Sequence, residues 1–252
     1  MNEYSILIGG KAGDGISQAG QIIGSIFSSL GYHVYQYVDY PSLIRGGHNF
    51  CIIRAAKEPI FTHRTKVNVI IAFDQQTVDT HLDKLANHGI ILFDKDKVKT
   101  EGVGISITQI INELQGIPIM GNTAMIAVLF RYLGVPWEHV ESVLSRKIPK
   151  KIEKNLQIAQ AAWKTVTPGL NISPISGETK PFLSGNEWIA IGLLTGGIDA
   201  YIAYPMTPSS GVLHFLASVA EETGITVYHP ESEIAVILMA LGFSYTGKKS
   251  AV

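Results

Sequence analysis

Short apolar runs alternate with stretches of helical spacing over most of this chain. Residues 5–8 (SILI) form the first run and predict a strand. Behind it Ile16, Ala19, Ile23, Ile26, Phe27 and Leu30 recur at the spacing of one helix face until Gly31 ends the pattern. Residues 33–38 and 49–54 predict two further strands on either side of a loop at 39–47. Residues 67–72 (VNVIIA) read as a buried strand, 74–85 as a helix and 90–93 as another strand. That order argues for an α/β fold with a mostly parallel sheet and helices on both faces.

From 122 to 165 the pattern turns helical, with segments at 122–132, 137–145 and 149–165 and Pro136 at a helix start. The lysines of KIPKKIEK (147–154) read as a solvated face. Residues 167–181 (TPGLNISPISGETKP) are rich in Pro, Gly, Ser and Thr, as an interdomain linker would be. Alternation then resumes: a helix at 185–197, a strand at 200–203, a helix near 211–222, a strand at 225–228 and a helix from Glu231. SAV at 250–252 has the character of the first residues of another strand, so the second domain is expected to be truncated. The expected division is a first domain at 1–166, a linker at 167–181 and the start of a second domain at 182–252.

Composition narrows the class. The 252 residues are 46% apolar with a net charge of −1, so no charge excess points to nucleic acid or an anionic membrane. The apolar runs are too short to span a bilayer, and MNEYSILIGG lacks the pattern of a secretory signal. The single cysteine, Cys51, can form no internal disulfide and cannot hold an iron–sulfur cluster, which takes about four ligands. A cytoplasmic chain is expected, with any redox metal on another polypeptide. The eight histidines show no metal-ligand spacing, and most are assigned surface or capping roles. No G-x-S-x-G or H-E-x-x-H motif is present.

Two stretches carry candidate chemistry. GGKAGDG (9–15) follows a strand and opens a helix, where backbone amides can hold an anion and Lys11 could add charge. Gly13 and Gly15 supply a G-x-G, and Asp39 lies near the spacing of a ribose-binding acid. Against a dinucleotide, Gln18 stands where a small residue is needed, and Asp14 would repel phosphate. A tight turn that packs the helix on its strand accounts for the same glycines. Arg45, followed by Gly46 and Gly47, would face the same sheet end. The second stretch is YPMTPSS (204–210) together with HPESE (229–233). Pro205 and Pro208 fix the backbone around Thr207 at the carboxyl end of a strand, and Ser209 or Ser210 can cap the next helix.

These stretches carry a family resemblance. IGGKAGDGISQAGQIIG with DYPSLIRGGHNFCIIR, and GNTAMIAVLFRYLGV, resemble the gamma domain of 2-oxoacid:ferredoxin oxidoreductases. GNEWIAIGLLTGGIDAYIAYPMTPSS and ESEIAVILMALGFSYTGKKSAV resemble the start of the alpha, pyrimidine-binding domain of the same enzymes. The fold this implies is a Rossmann-like gamma domain, then the start of a thiamine-enzyme α/β domain, in the fused order of the 2-oxoglutarate-type branch. The resemblance implies oxidative decarboxylation of a 2-oxoacid to acyl-coenzyme A, with electrons passed to ferredoxin. Thiamine diphosphate would be shared with a beta subunit that holds the magnesium and the iron–sulfur cluster, and coenzyme A would be the cosubstrate. By resemblance, Thr207 hydrogen-bonds the 2-oxoacid and Glu233 contacts the aminopyrimidine ring. A carboxyl group there favours the imino tautomer that can take the C2 proton. Glu231 is the rival acid, assigned instead to the helix dipole. The candidate cofactor-binding set is Glu233, Tyr204, Pro205, Gly10, Gly13, Gly15 and Arg45, with no metal ligand.

Two other readings stand beside this one. A nicotinamide-dinucleotide enzyme would use the glycine loop and Asp39. A non-catalytic docking subunit would use the first domain only to bind a partner.

Overall fold

The structure, a computed structural model, describes residues 3–11, 13–39, 47–172, 174–175 and 178–252. It divides into two compact units, Met1–Phe182 and Leu183–Val252.

In the first unit β1 (Glu3–Lys11) leads through the glycine turn to α1 (Ile16–Ser29), then to β2 (His33–Asp39) and β3 (His48–Ala56). Next come β4 (Val67–Ala72), α2 (Gln75–His81), β5 (Leu85–Asp94) and β6 (Val103–Ile105). Four helices follow: α3 (Ile107–Glu113), α4 (Gly121–Tyr132), α5 (Trp137–Lys147) and α6 (Ile152–Lys164). The sheet order is β2-β3-β1-β4-β5-β6. Only β3 runs against the rest, paired antiparallel to both β1 and β2. The segment 40–47 is too short for a crossover, which takes about a dozen residues, so the chain turns back. The helical link through α1 leaves room for β3 between β1 and β2.

Burial on both faces explains why the central strands read as nearly continuous apolar runs. Ile6 and Ile8 face the cluster built from α1, α4, α5 and α6, while Leu7 faces Ile52, Ile70 and Val78 of α2 on the other side. Phe27 of α1 is fully buried at the first contact, its ring 5.2 Å from that of Phe130 on α4 and 5.6 Å from that of Tyr32. The helix expected at 74–85 ends at His81, because Leu82–Lys84 forms a 3-10 turn and β5 begins at Leu85. Asp74 caps its start, accepting from the Thr77 amide at 2.9 Å.

Segment 167–181, expected to link two domains, is tied along the first unit. The Gly169 and Leu170 amides both donate to the Tyr132 carbonyl at 2.9 Å, and Ile172 donates to that of Leu133 at 2.9 Å. The Ile175 and Lys180 amides reach the Leu30 and Ser28 carbonyls at 3.0 and 3.1 Å. These acceptors lie at the carboxyl ends of α4 and α1, where helical carbonyls have no partner within the helix.

The second unit contains α7 (Gly185–Thr195), β7 (Ala200–Ile202), α8 (Ser210–Ser218), α9 (Ala220–Thr223), β8 (Thr226–Tyr228), α10 (Glu233–Tyr245) and β9 (Ser250–Ala251). Its strands run parallel in the order β8-β7-β9. A reciprocal capping box of Ser184 and Glu187 starts α7. Side chains of β7 alternate, Tyr201 packing with Val212 and Leu216 of α8, and Ala200 and Ile202 with Val236 of α10. The helix expected near 211–222 breaks at Val219 into α8 and α9.

Phe27→Ala should destabilise the chain by about 3–5 kcal/mol in urea unfolding, the range for emptying a buried aromatic site. A loss below about 1 kcal/mol would contradict the packing of α1 and α4 described above.

Candidate functional site

Parallel pairing sets the site in the second unit. Ile202 and Tyr228, the last residues of β7 and β8, lie opposite each other in the ladder, so the chain leaves both strands at one edge. The Ala203 amide extends the ladder to the Tyr228 carbonyl at 3.1 Å. Beyond it the rings of Tyr204 and His229 meet edge to face, their centroids 6.1 Å apart. YPMTPSS and HPESE, remote in sequence, are thereby brought together at the carboxyl end of the sheet, where open α/β folds place ligands.

Within the first segment a cis peptide joins Thr207 to Pro208. The Asn186 side chain donates to the Pro208 carbonyl at 2.7 Å, holding this turn from α7. Neither serine caps α8 with its side chain; the Ser209 hydroxyl instead donates back to the Met206 carbonyl at 3.0 Å. Tyr204, Pro205 and Thr207 are exposed.

The second segment corrects the expected helix start. Ser232 is extended (φ −157, ψ 163) and its hydroxyl accepts from the Ala235 amide at 3.3 Å, so α10 begins at Glu233 and not at Glu231. Glu231 therefore lies outside the helix and is no first-turn carboxylate. Glu233 occupies that first turn, exposed, where the dipole favours a negative charge. No hydrogen bond or ion pair with another described residue engages the side chain of Thr207 or Glu233. Tyr204 and Met206 on one segment, and Ile234 next to Glu233, expose apolar surface beside these polar groups. A free carboxylate on a sheet edge that also exposes apolar side chains suits a planar, basic aromatic ring.

In the first unit the glycine turn has its own structural reasons. Gly15 precedes α1 with φ 72, and a side chain there would place its Cβ 2.8 Å from Asn122 Nδ2. That Asn122 amide donates to the Asp14 carbonyl. The Asp14 carboxylate accepts from the Lys11 amide at 3.0 Å, so it closes the turn on itself. Gly10 sits in β1, where a Cβ would come within 3.1 Å of both Ile16 and Phe73, and Gly13 is open with φ 95. Arg45 lies outside the described residues. Asp39 accepts from the Tyr37 hydroxyl at 3.1 Å.

One pair of histidines stands apart from the surface or capping roles expected of most. His48 and His81 meet with Nε2 atoms 2.9 Å apart, and His81 is only 2% exposed. The Nδ1 atoms of both rings and Oδ2 of Asp74 are buried without a hydrogen-bond partner. Strand alternation holds the available signal, because His48 shares a face with Phe50 and Ile52, which pack against the α2 side. Among the described residues no group of three or more His, Cys, Asp or Glu side chains could hold a metal. Burial lowers the pKa of His48, with Asp74 opposing and Lys84 assisting. Burial, then the charges of Lys84 and His48, push His81 down to about 4.

Comparison with known proteins gives matches in both units. The family model described as pyruvate ferredoxin/flavodoxin oxidoreductase matches residues 5–165. The model described as pyruvate flavodoxin/ferredoxin oxidoreductase, thiamine diphosphate-binding, matches residues 191–252, which include Tyr204, Thr207 and Glu233. The 2-oxoacid:ferredoxin oxidoreductase subunit alpha of Saccharolobus solfataricus is 24% identical over 98% of this chain and 49% of its own length. The 2-oxoglutarate synthase subunit KorC of Methanocaldococcus jannaschii is 29% identical over 60% of this chain and 87% of its own. Among solved structures, the 2-oxoglutarate:ferredoxin oxidoreductase from Magnetococcus marinus, with 2-oxoglutarate, coenzyme A and succinyl-CoA bound, is similar with a TM-score of 0.83. It is 26% identical and the match covers 99% of this chain and 47% of that one. The gamma subunit of a keto/oxoacid ferredoxin oxidoreductase from Geobacter sulfurreducens shares the fold, with a TM-score of 0.56 and 23% identity over 65% of this chain and 96% of its own. The chain spans about half the length of the curated alpha-subunit relatives it matches. These matches support the ferredoxin-oxidoreductase reading over the dinucleotide one.

The histidine pair gives a pH prediction. An imidazole whose folded pKa is depressed contributes stability that is present above its unfolded value of about 6.5 and is lost as pH falls toward the folded value. For His81 that window reaches down to about 4. Glu3, held at about 2 by Arg54 and Arg64, loses its contribution only in more acidic solution, below about 4.5. The urea midpoint should therefore fall between pH 7 and about pH 4.5, and the fall should be shallower in His81→Asn. An unchanged slope in that variant would contradict the buried neutral pair.

Proposed function

This chain belongs to the pyruvate ferredoxin/flavodoxin oxidoreductase family, and on that premise we propose that it is the gamma–alpha part of a 2-oxoacid:ferredoxin oxidoreductase. Residues 1–166 serve as the gamma domain, 167–181 as the connection and 182–252 as the start of the pyrimidine-binding alpha domain. The reaction is oxidative decarboxylation of a 2-oxoacid to its coenzyme A thioester, with electrons leaving to ferredoxin. One observation carries the reading: Thr207 and Glu233 stand free at one edge of a parallel sheet, within the segment that matches the thiamine diphosphate-binding model.

Thiamine diphosphate, when bound, would supply a carbon acid whose deprotonated form adds to a ketone and whose ring accepts the electron pair released on decarboxylation. This chain's residues hold and orient it. The Glu233 carboxyl group holds a proton at the ring nitrogen of the aminopyrimidine, at the amino end of α10. Tyr204 and Pro205 present the neighbouring surface. The Thr207 hydroxyl donates to the 2-oxoacid and positions its carbonyl.

Other parts of the reaction fall to partners. Cys51 is buried, with its thiol pushed up to about 12, and as the sole cysteine it cannot ligate a cluster. By the family resemblance, the iron–sulfur cluster, the magnesium and the diphosphate site are assigned to a beta subunit. On α10, Ile237, Leu238 and Leu241 are each more than half exposed, an apolar face suited to cover by further protein. No helix among the described residues is long and apolar enough to cross a membrane, which is compatible with work in the cytoplasm beside ferredoxin. Arg45 and the turn at Gly10, Gly13 and Gly15 are assigned to coenzyme A handling or subunit docking. The gamma-before-alpha order favours 2-oxoglutarate among 2-oxoacids.

The test uses the full-length enzyme reconstituted with its beta subunit. Glu233→Gln should slow exchange of the cofactor C2 proton by about 10²-fold or more. Thr207→Val should leave that exchange near normal and lower kcat/KM for the 2-oxoacid by the equivalent of about 1–3 kcal/mol. If Glu231→Gln slows exchange and Glu233→Gln does not, the acid is Glu231. If neither does, the second unit holds no thiamine and the docking-subunit reading replaces this one.

A further inference from the structure

The first unit contains a cavity of about 260 Å³ that the proposed function does not use. It lies between α1, the 3-10 turn Pro118–Met120, α4 and the start of α6. Ile22, Ile126 and Ile148, all buried, form its wall. Ile117 and Ile119 also line it and are 42% and 46% exposed, which places them at the opening. Lys150 and Lys151, both exposed, complete the lining on the side of α6. No lining residue comes from the second unit, and none is acidic.

The polar groups divide into two kinds. Thr123 and Asn155 are already satisfied, the Thr123 hydroxyl donating to Asn155 Oδ1 at 2.9 Å. The Asn155 amide donates to the Lys150 and Lys151 carbonyls at 3.3 and 3.1 Å. That network fixes the backbone carrying the two lysines to α4 and leaves no interior hydrogen-bonding group seeking a ligand. Asn122 is likewise engaged, with the Asp14 carbonyl. The ammonium groups of Lys150 and Lys151 make no ion pair among the described residues. An apolar hollow bordered by two free cations and the exposed amide of Gln18, with no carboxylate, selects an occupant with an apolar body and one anionic head.

We propose that this cavity binds a small organic anion, an aliphatic or aromatic carboxylate, with its chain among the isoleucines and its head against Lys150 and Lys151. Lys150 and Lys151 stay on the solvated face expected of KIPKKIEK, with the anion's head as an added contact. The proposal rests on the first unit alone and stands or falls independently of the thiamine reading.

The full chain, labelled at isoleucine methyl groups, provides the test, with hexanoate as probe and hexanamide as its uncharged counterpart. Hexanoate should give saturable shifts centred on Ile22, Ile117, Ile119, Ile126 and Ile148, while hexanamide should bind about tenfold more weakly, the scale of two exposed charge contacts. The double substitution Lys150→Gln and Lys151→Gln changes only exposed side chains, and it should reduce hexanoate to the affinity of the amide. Absence of saturable shifts, equal affinity for acid and amide, or unchanged affinity in the double variant would each overturn the proposal. Coenzyme A provides the remaining arm: displacement of hexanoate by coenzyme A would give the cavity to that cosubstrate and overturn a separate small-anion site.

Discussion

Parallel strand pairing is the constraint on which the site depends. A parallel ladder makes neighbouring strands end at the same edge, so the segments that follow them must share it. With Ile202 opposite Tyr228, the turn after β7 and the turn after β8 emerge side by side. The Ala203–Tyr228 hydrogen bond and the contact of Tyr204 with His229 carry that adjacency past the last paired residues. A hydroxyl from one turn and a carboxylate from the other then serve one edge, although nothing in local sequence connects them.

The first unit uses the same kind of edge differently. Its glycine turn lies at the end of β1, where a phosphate cradle would be expected. The Asp14 carboxylate already takes the Lys11 amide, and Gly15 is required by its backbone angle and by the approach of Asn122. Packing accounts for much of this turn without a ligand. The Pro- and Gly-rich stretch after α6 likewise has a mechanical use, supplying amide donors to the open carbonyl ends of α1 and α4.

Much of the fold was legible because burial leaves a periodic trace. Apart from Ser5 and Asn68, the runs at 5–8 and 67–72 are apolar on both faces because helices cover both, and α1 shows one unbroken apolar face. The reversed direction of β3 left no such trace, since periodicity does not carry strand direction; only the short 40–47 connection encodes it. β6 spans only Val103–Ile105 and includes Gly104, too little for a pattern. At the site, the segments were legible from their prolines and serines, but the helix start was misplaced by two residues. Ser232, not the acid before it, makes the cap, and that separates Glu231 from Glu233. Strand alternation puts His48 on the buried face, but its pairing with His81 joins strand to helix and leaves no trace in sequence spacing.

The central claim is that α10 begins with the carboxylate that meets the aminopyrimidine ring. The most direct measurement is a structure of the full-length protein with its beta subunit and thiamine diphosphate. The account predicts a Glu233 carboxylate oxygen within hydrogen-bond reach, about 2.6–3.2 Å, of the pyrimidine ring nitrogen, with the Thr207 hydroxyl facing the side where the 2-oxoacid enters. A ring nitrogen paired with Glu231, or a cofactor bound away from the shared edge of β7 and β8, would contradict it.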